Sequence, residues 1–94
     1  MAKVLTADEV LQLPHRKALK TVPVVIEEKV PFGSWNKGSI LKWVGSDFAR
    51  EWFIETQRRA ATYAYKLGYV YGKNIRIWDM MPTAEELQEA EWDG

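Results

Sequence analysis

The stretch 46–67 constrains the fold most, because it predicts one helix of about six turns. Ser46 is a favourable N-cap residue, Asp47 places a carboxylate beside the unpaired amides of the first turn, and Gly68 can close the helix. At about 100° per residue one face is apolar, and it comprises Ala49, Phe53, Thr56, Ala60, Ala64 and Leu67, widened by Trp52 and Tyr63. Other elements must therefore cover this helix.

The remaining surface of this helix divides into two parts. The side opposite the apolar face is polar and carries Glu51, Glu55, Arg58, Arg59, Thr62 and Lys66. A third side adds apolar surface at Ile54, Ala61 and Tyr65. We expect this third side either to pack within the domain or to form the seam of a homodimer.

The residues before the helix predict a short helix and two strands. Thr6 and Glu9 form a capping box, so a helix is expected from Ala7 to about Leu13. Val24–Val30 alternates apolar Val24, Ile26 and Val30 with polar Glu27 and Lys29, which is typical of a strand. Residues 39–44 predict a second strand, and the turn-forming residues 31–39 make the connection a hairpin with a long loop.

The residues after the helix predict a second hairpin and a last helix. Two short β-like runs, 69–71 and 75–78, are separated by Gly72, Lys73 and Asn74. Thr83 and Glu86 form a second capping box, which begins the last helix.

These elements predict an α+β fold in which a small antiparallel sheet of two hairpins packs on the long helix 46–67, with short helices at both ends. Residues 1–81 form a single compact domain, and residues 82–94 form an acidic short helix or tail. The alternative is a winged-helix-like fold, in which the second strand would instead be a short helix.

Composition indicates a soluble, cytoplasmic protein that does not span a membrane. The chain has no cysteine, so it has neither disulfides nor a thiolate site. Its N-terminus lacks the charged and apolar segments of a signal peptide. The longest apolar run, 22–26, is interrupted by Pro23 and is too short to cross a bilayer.

Motifs for catalysis and for cofactors are absent from the sequence, so we expect no enzyme, no cofactor and no metal. His15 is the single histidine and has no carboxylate at helical metal-ligand spacing. Gly33 and Gly38 are separated by four residues, as in a phosphate-binding loop, but Ser39 stands where that loop needs a lysine.

Charge is unevenly distributed along the chain. Residues 1–80 hold all 13 Lys and Arg with eight of the 13 Asp and Glu, and residues 81–94 hold the other five acidic residues. The acidic tail is expected to aid solubility, to dock on a partner, or to mask the basic body. Small, Trp-rich, cysteine-free chains with a charged tail are also typical of phage accessory proteins.

A protein partner is the favoured hypothesis for function, because Trp, Tyr and Arg dominate the energetics of protein interfaces. The chain would be a small non-enzymatic accessory protein of the adaptor or inhibitor type. Its expected contact residues are Trp35, Lys37, Arg58, Arg59 and Trp92.

Nucleic-acid binding is the alternative hypothesis. Cations from three parts of the chain would form one basic surface, and they are Arg16, Lys17, Lys20, Arg58, Arg59, Lys66, Lys73 and Arg76. Tyr69, Tyr71 or Trp78 would stack on bases, and the acidic tail would modulate binding by occupying the same groove.

Overall fold

The computed structural model describes residues 1–14, 23–29, 40–67 and 70–92. The predicted α+β class is confirmed: one antiparallel sheet is combined with a long helix and two short ones. In chain order the elements are α1 (Ala7–Leu11), β1 (Pro23–Glu28), β2 (Ile40–Gly45), α2 (Ser46–Leu67), β3 (Ile75–Trp78) and α3 (Ala84–Glu89). The bounds of α2 coincide with the predicted ones.

The sheet has three strands in the order β2-β1-β3, so β1 is central. Both neighbours run antiparallel to β1, and Val25 lies opposite Trp43 on β2 and Trp78 on β3. Because Ile40–Gly45 is a paired strand and not a short helix, the winged-helix alternative is wrong.

The prediction of a second hairpin is only roughly matched. β3 pairs with β1, and before it Tyr71 makes a single isolated bridge to Ile75. The polar groups of the preceding segment are used inside a turn: Lys73 and Asn74 donate their amides to the Val70 carbonyl, and the Val70 amide donates to the Asn74 side chain. Gly72 has φ of 89°, which favours glycine. These groups therefore cannot form a strand ladder.

Both predicted capping boxes are confirmed. The Glu9 amide donates to Thr6 Oγ1 at 3.2 Å, and the Thr6 amide donates to the Glu9 carboxylate at 3.0 Å. Thr83 and Glu86 repeat the arrangement at the start of α3. The helix α1 ends at Leu11, slightly earlier than expected.

The hydrophobic core lies between the sheet and the two helices α1 and α2. Ala49 and Phe53 belong to the predicted apolar face of α2, and both are buried. Trp52 packs against this core while remaining partly exposed. The core comprises Leu5, Val10, Val24, Ile26, Ala49, Phe53 and Ile77.

The central strand is buried on both faces, which the sequence pattern did not predict. Side chains alternate between the two faces of a strand, and Val24, Val25, Ile26 and Glu27 are all buried. Glu27 is buried although it is charged, since only 1% of the residue is exposed. Charged and aromatic side chains from β3 surround it on the face away from the core.

The outer edge of β3 is closed by the N-terminal segment. Val4 forms an antiparallel bridge with Trp78, and the Leu5 amide donates to the Ile77 carbonyl at 2.8 Å. Next to this bridge, the Lys3 amide donates to the Asp79 carboxylate at 2.8 Å. The first residues of the chain thus satisfy polar groups that an edge strand would otherwise expose.

The beginning of α2 is fixed to the end of α1. Ser46 Oγ donates to the Pro14 carbonyl at 3.1 Å, and Arg50 Nε donates to the Leu11 carbonyl at 3.1 Å. Since Ser46 directly follows β2, these bonds also hold the β2–α2 junction against the core. Among the residues that the structure describes, no helix has the length and apolar character to cross a bilayer.

Candidate binding surface

Several of the residues expected to bind a partner lie outside the described residues. These are Trp35 and Lys37 for the protein-partner hypothesis, and Arg16, Lys17 and Lys20 for nucleic acid. Arg59 and Lys66 belong to α2, but the described side chains of that helix end at Arg58. The remaining site residues are Arg58, Lys73, Arg76 and Trp92.

Arg58 lies on the exposed polar side of α2. Its guanidinium pairs with the Glu55 carboxylate at 2.8 and 3.0 Å, and this partner raises the pKa of the arginine. Three-quarters of the Arg58 side chain remains exposed. Lys73 is exposed in the turn before β3. Both residues are accessible, but the structure does not bring either together with Arg76.

Arg76 is buried, which corrects its expected place on a basic surface. Its Nε donates to the Glu27 carboxylate, which also accepts from Trp78 Nε1 at 2.8 Å. The two side chains of the ion pair are 2% and 1% exposed. A buried charge needs such partners to remain ionised. Arg76 therefore lies buried on the face of the sheet away from the core and does not belong to an exposed basic surface.

Trp92 folds back onto Arg76. Its ring lies 3.9 Å from the guanidinium carbon, and the Arg76 Nη1 donates to the carbonyls of Ala90 and Glu91 at 3.4 and 3.2 Å. The Lys29 ammonium lies 5.8 Å from the same ring. The half-buried Trp92 is thus already in contact with two cations of its own domain.

Tyr71 and Trp78, the candidates for stacking on bases, are instead packed and hydrogen-bonded within the domain. Trp78 is 2% exposed. The Tyr71 hydroxyl donates to the Leu5 carbonyl at 2.5 Å and accepts from the Ile77 amide at 3.1 Å, and its ring meets Phe53 edge to face. Burial raises the pKa of Tyr71 to about 12. Neither ring is presented for stacking.

Large exposed aromatic side chains occur instead at the β2–α2 junction. Trp43 on β2 is 52% exposed, and Phe48 in the first turn of α2 is 47% exposed. The register pairs Trp43 with Val25, so it lies on the sheet face away from the core. Its neighbour Lys42 points to the opposite face, where its ammonium lies 4.8 Å from the Phe48 ring.

A groove runs along the first half of α2. It has a volume of about 320 Å³ and is lined by Phe48, Glu51, Trp52, Glu55 and Thr56, which we call the α2 groove. These positions recur at three- and four-residue spacing, so they form one side of the helix. Since Trp52 also packs against the core, its indole is held in place. The groove therefore combines aromatic surface with carboxylates.

Electrostatics in the α2 groove are acidic. Glu55 is engaged by Arg58, whereas the Glu51 carboxylate has no hydrogen-bond or ion-pair partner within the described part of the chain. Glu51 is exposed and lies one turn from Phe48 and one turn from Glu55. The groove can offer a negative charge and two aromatic surfaces to a ligand.

Sequence reasoning did not select this groove, although a signal was present. One helical stripe at three- and four-residue spacing contains Phe48, Glu51, Trp52 and Glu55. The periodicity of α2, however, places Trp52 beside the core face and both glutamates on the polar side. Trp52 lies between the core and the groove, and how far it is exposed depends on the orientation in which α2 packs against the sheet. That orientation is a tertiary property.

A second cleft lies beside the N-terminal segment. It has a volume of about 410 Å³ and its lining includes Leu5, Tyr71, Arg76 and Glu91. Tyr71 bonds the backbone there, and Arg76 bonds Glu27 and the C-terminal carbonyls, but Arg76 Nη2 is buried without a hydrogen-bond partner in the described part of the chain. In the four described ranges no three His, Cys, Asp or Glu residues are grouped to hold a metal ion.

Comparison with known proteins yields no relative: no protein-family model, no curated protein and no solved structure matches this chain.

Proposed function

We propose that this protein is a small non-enzymatic accessory protein that binds a protein partner through the β2–α2 junction. The contact surface comprises Phe48 and the α2 groove on one face of the sheet and Trp43 on the other face, so the partner wraps around the β2 edge. This proposal keeps the predicted class of function and moves its site, because the described members of the predicted set are either dispersed or engaged within the domain. A cytoplasmic location belongs to the same proposal, supported by the absence of cysteine.

The observation that carries the proposal is the exposure of two large aromatic side chains at one junction. Aromatic residues are enriched at protein interfaces, where they supply large apolar contact area with few rotatable bonds. Trp43 and Phe48 are about half exposed although the domain buries Trp78 and Phe53 almost completely. The fold thus has room for aromatic residues in its core and leaves these two outside.

The nucleic-acid hypothesis has less support. Its basic surface loses Arg76, which is buried, and the α2 groove carries carboxylates that would repel phosphates. Arg58 and Lys73 remain accessible, but isolated surface cations are ordinary in a domain of zero formal net charge.

The test is site-specific photo-crosslinking in the cells that naturally express the protein. A benzophenone amino acid is placed at Phe48, and matched variants carry it at Leu11 and at Met81, which have similar exposure. We expect a discrete crosslinked product from position 48 and none from the control positions. Adding Trp43→Ser to the chain that carries the crosslinker should reduce its yield.

Stability serves as the control for folding. Trp43→Ser and Phe48→Ser should each leave a folded protein with a cooperative unfolding transition, at a cost of at most roughly 1–2 kcal/mol, because about half of each side chain is exposed. Equal crosslinking at positions 11, 48 and 81, or a yield insensitive to Trp43→Ser, would rule out this surface as the binding site.

A further inference from the structure

We infer that the α2 groove recognises a positively charged side chain, lysine or arginine, presented by an apolar segment of the partner protein. This inference rests on the proposed function and names the chemistry of the partner. It is carried by three features of the groove: its aromatic surfaces, its free carboxylate and a cation of the chain itself that already lies against one of the rings.

The aromatic surfaces come from Phe48 and Trp52. Aromatic faces are electron-rich and attract cations within about 6 Å of the ring centre. Phe48 is exposed and Trp52 is held by the core, so one surface is adaptable and the other fixed. Together they suit an extended aliphatic stem that ends in a cationic group.

The free carboxylate is Glu51, which lies between the two aromatic positions in the sequence and shares their side of α2. A purely apolar ligand would bury part of this carboxylate without a partner, which is unfavourable. A guanidinium or an ammonium group would satisfy it. Glu55 adds negative potential and pairs with Arg58.

The cation already present is Lys42. Its ammonium lies 4.8 Å from the Phe48 ring, so the exposed edge of the groove holds a positive charge in the free protein. Lys42 reaches Phe48 from β2 and is not among the residues that line the groove. A cation from a partner can therefore lie against Trp52 and Glu51 while Lys42 remains in place.

The experiment compares two peptides that differ in one charge. The first is an amphipathic helical peptide with a single central arginine, and the second replaces that arginine with citrulline, which is neutral and nearly the same shape. Binding is followed at low salt by the indole N–H signals of the five tryptophans in two-dimensional NMR spectra. We expect the Trp52 signal to shift with the arginine peptide and to shift less with the citrulline peptide.

Two substitutions locate the effect. Glu51→Gln removes the carboxylate charge and should weaken binding of the arginine peptide by about two- to fivefold, without changing binding of the citrulline peptide. Phe48→Ser should weaken the arginine peptide by roughly fivefold. Ile54→Ser is the matched control, because Ile54 is similarly exposed on α2 and does not line the groove.

The outcomes separate this inference from the proposed function. Equal binding of both peptides, weakened in both by Phe48→Ser, would overturn cation recognition while supporting the surface. Shifts confined to tryptophans other than Trp52 would overturn the groove as the cation site. No shift with either peptide in about 20 mM salt, where screening is weak, would also overturn it, and crosslinking at position 48 would then decide the proposed function separately.

Discussion

The two edges of the sheet differ in how they are closed. On the β3 edge, Tyr71 and the N-terminal segment bond both outward polar groups of Ile77, and the C-terminal residues cover Arg76. On the β2 edge, no described strand pairs with Ile40–Gly45 on its outer side, and Trp43 is half exposed. We call these the closed side and the open side.

The difference separates stability from recognition. On the closed side, Ile77, Tyr71 and the Glu27–Arg76 pair have hydrogen bonds within the domain, so a change there removes a bond from the folded state. Large apolar side chains on the open side have few partners, so a change there leaves the folded state nearly unaltered. Substitutions on the closed side should therefore lower stability, and those on the open side should lower binding.

The largest effect is expected for Glu27→Ala, because Glu27 on the central strand is the partner of Arg76 on the closed side. It leaves the buried guanidinium of Arg76 without its carboxylate, which should lower the free energy of unfolding by about 3–5 kcal/mol. Chemical denaturation followed by tryptophan fluorescence measures this change in the free energy of unfolding. Combining Glu27→Leu with Arg76→Met should restore much of the loss, because both buried charges are then removed. A Glu27→Ala protein as stable as the parent would contradict the comparison.

The next effect is expected for Tyr71→Phe, which leaves the Ile77 amide without its acceptor. The cost should be about 1–3 kcal/mol, measured by urea denaturation.

Tyr71 also gives stability a dependence on alkaline pH. The folded state keeps the hydroxyl proton to about pH 12, whereas the unfolded chain releases it near pH 10, so the stability of the parent protein should fall between these values. A Tyr71→Phe protein should lose that part of the fall. An ultraviolet titration in which all four tyrosines ionise together near pH 10 would show that Tyr71 is not shielded.

A pair of tryptophans compares the two sides directly. Trp92→Ala removes the ring over Arg76 and should lower the free energy of unfolding by about 1 kcal/mol. Trp43→Ala on the open side removes the same side chain and should lower it by less, because Trp43 is 52% exposed whereas Trp92 is half-buried against Arg76. The two proteins are compared in one urea series, and the reverse order of stability would break the distinction.

The smallest effect is expected from Glu9 at the closed edge. Its hydrogen bond from Lys3, with the Thr6 amide, lowers the pKa of Glu9 to about 2 from 4.5. The unfolded chain takes up the proton first, so stability should fall as the pH drops from 4.5 to about 2. Melting temperatures across this range should be less pH-dependent in Glu9→Gln. Because Glu9 is exposed, added salt should reduce the difference.

The features predicted correctly from the sequence depend on neighbouring residues. The two capping boxes require residues three positions apart, and the bounds of α2 follow from its helical periodicity. The class of fold follows from these elements. Each of these features depends only on residues that are close together in the sequence.

The features that sequence reasoning missed depend on residues far apart. Glu27 and Arg76 are separated by 49 positions, and only the pairing of β3 with β1 makes them partners. The sequence shows Glu27 only as a polar residue of an alternating strand and Arg76 as a surface cation until that register is known. The same pairing replaces the expected second hairpin, and the rotation of α2 decides that Phe48 remains outside the core.

The long separation between Glu27 and Arg76 has a consequence for the order of folding. β1 can pair with β2 across a shorter loop, so its loop-closure entropy is smaller than that of pairing with β3. We expect β1, β2 and α2 to be structured in the transition state and the β3 contacts to form after it. Glu27→Ala should then accelerate unfolding while leaving the refolding rate nearly unchanged, which stopped-flow kinetics would show. The Glu27–Arg76 ion pair would then slow the unfolding of the native state.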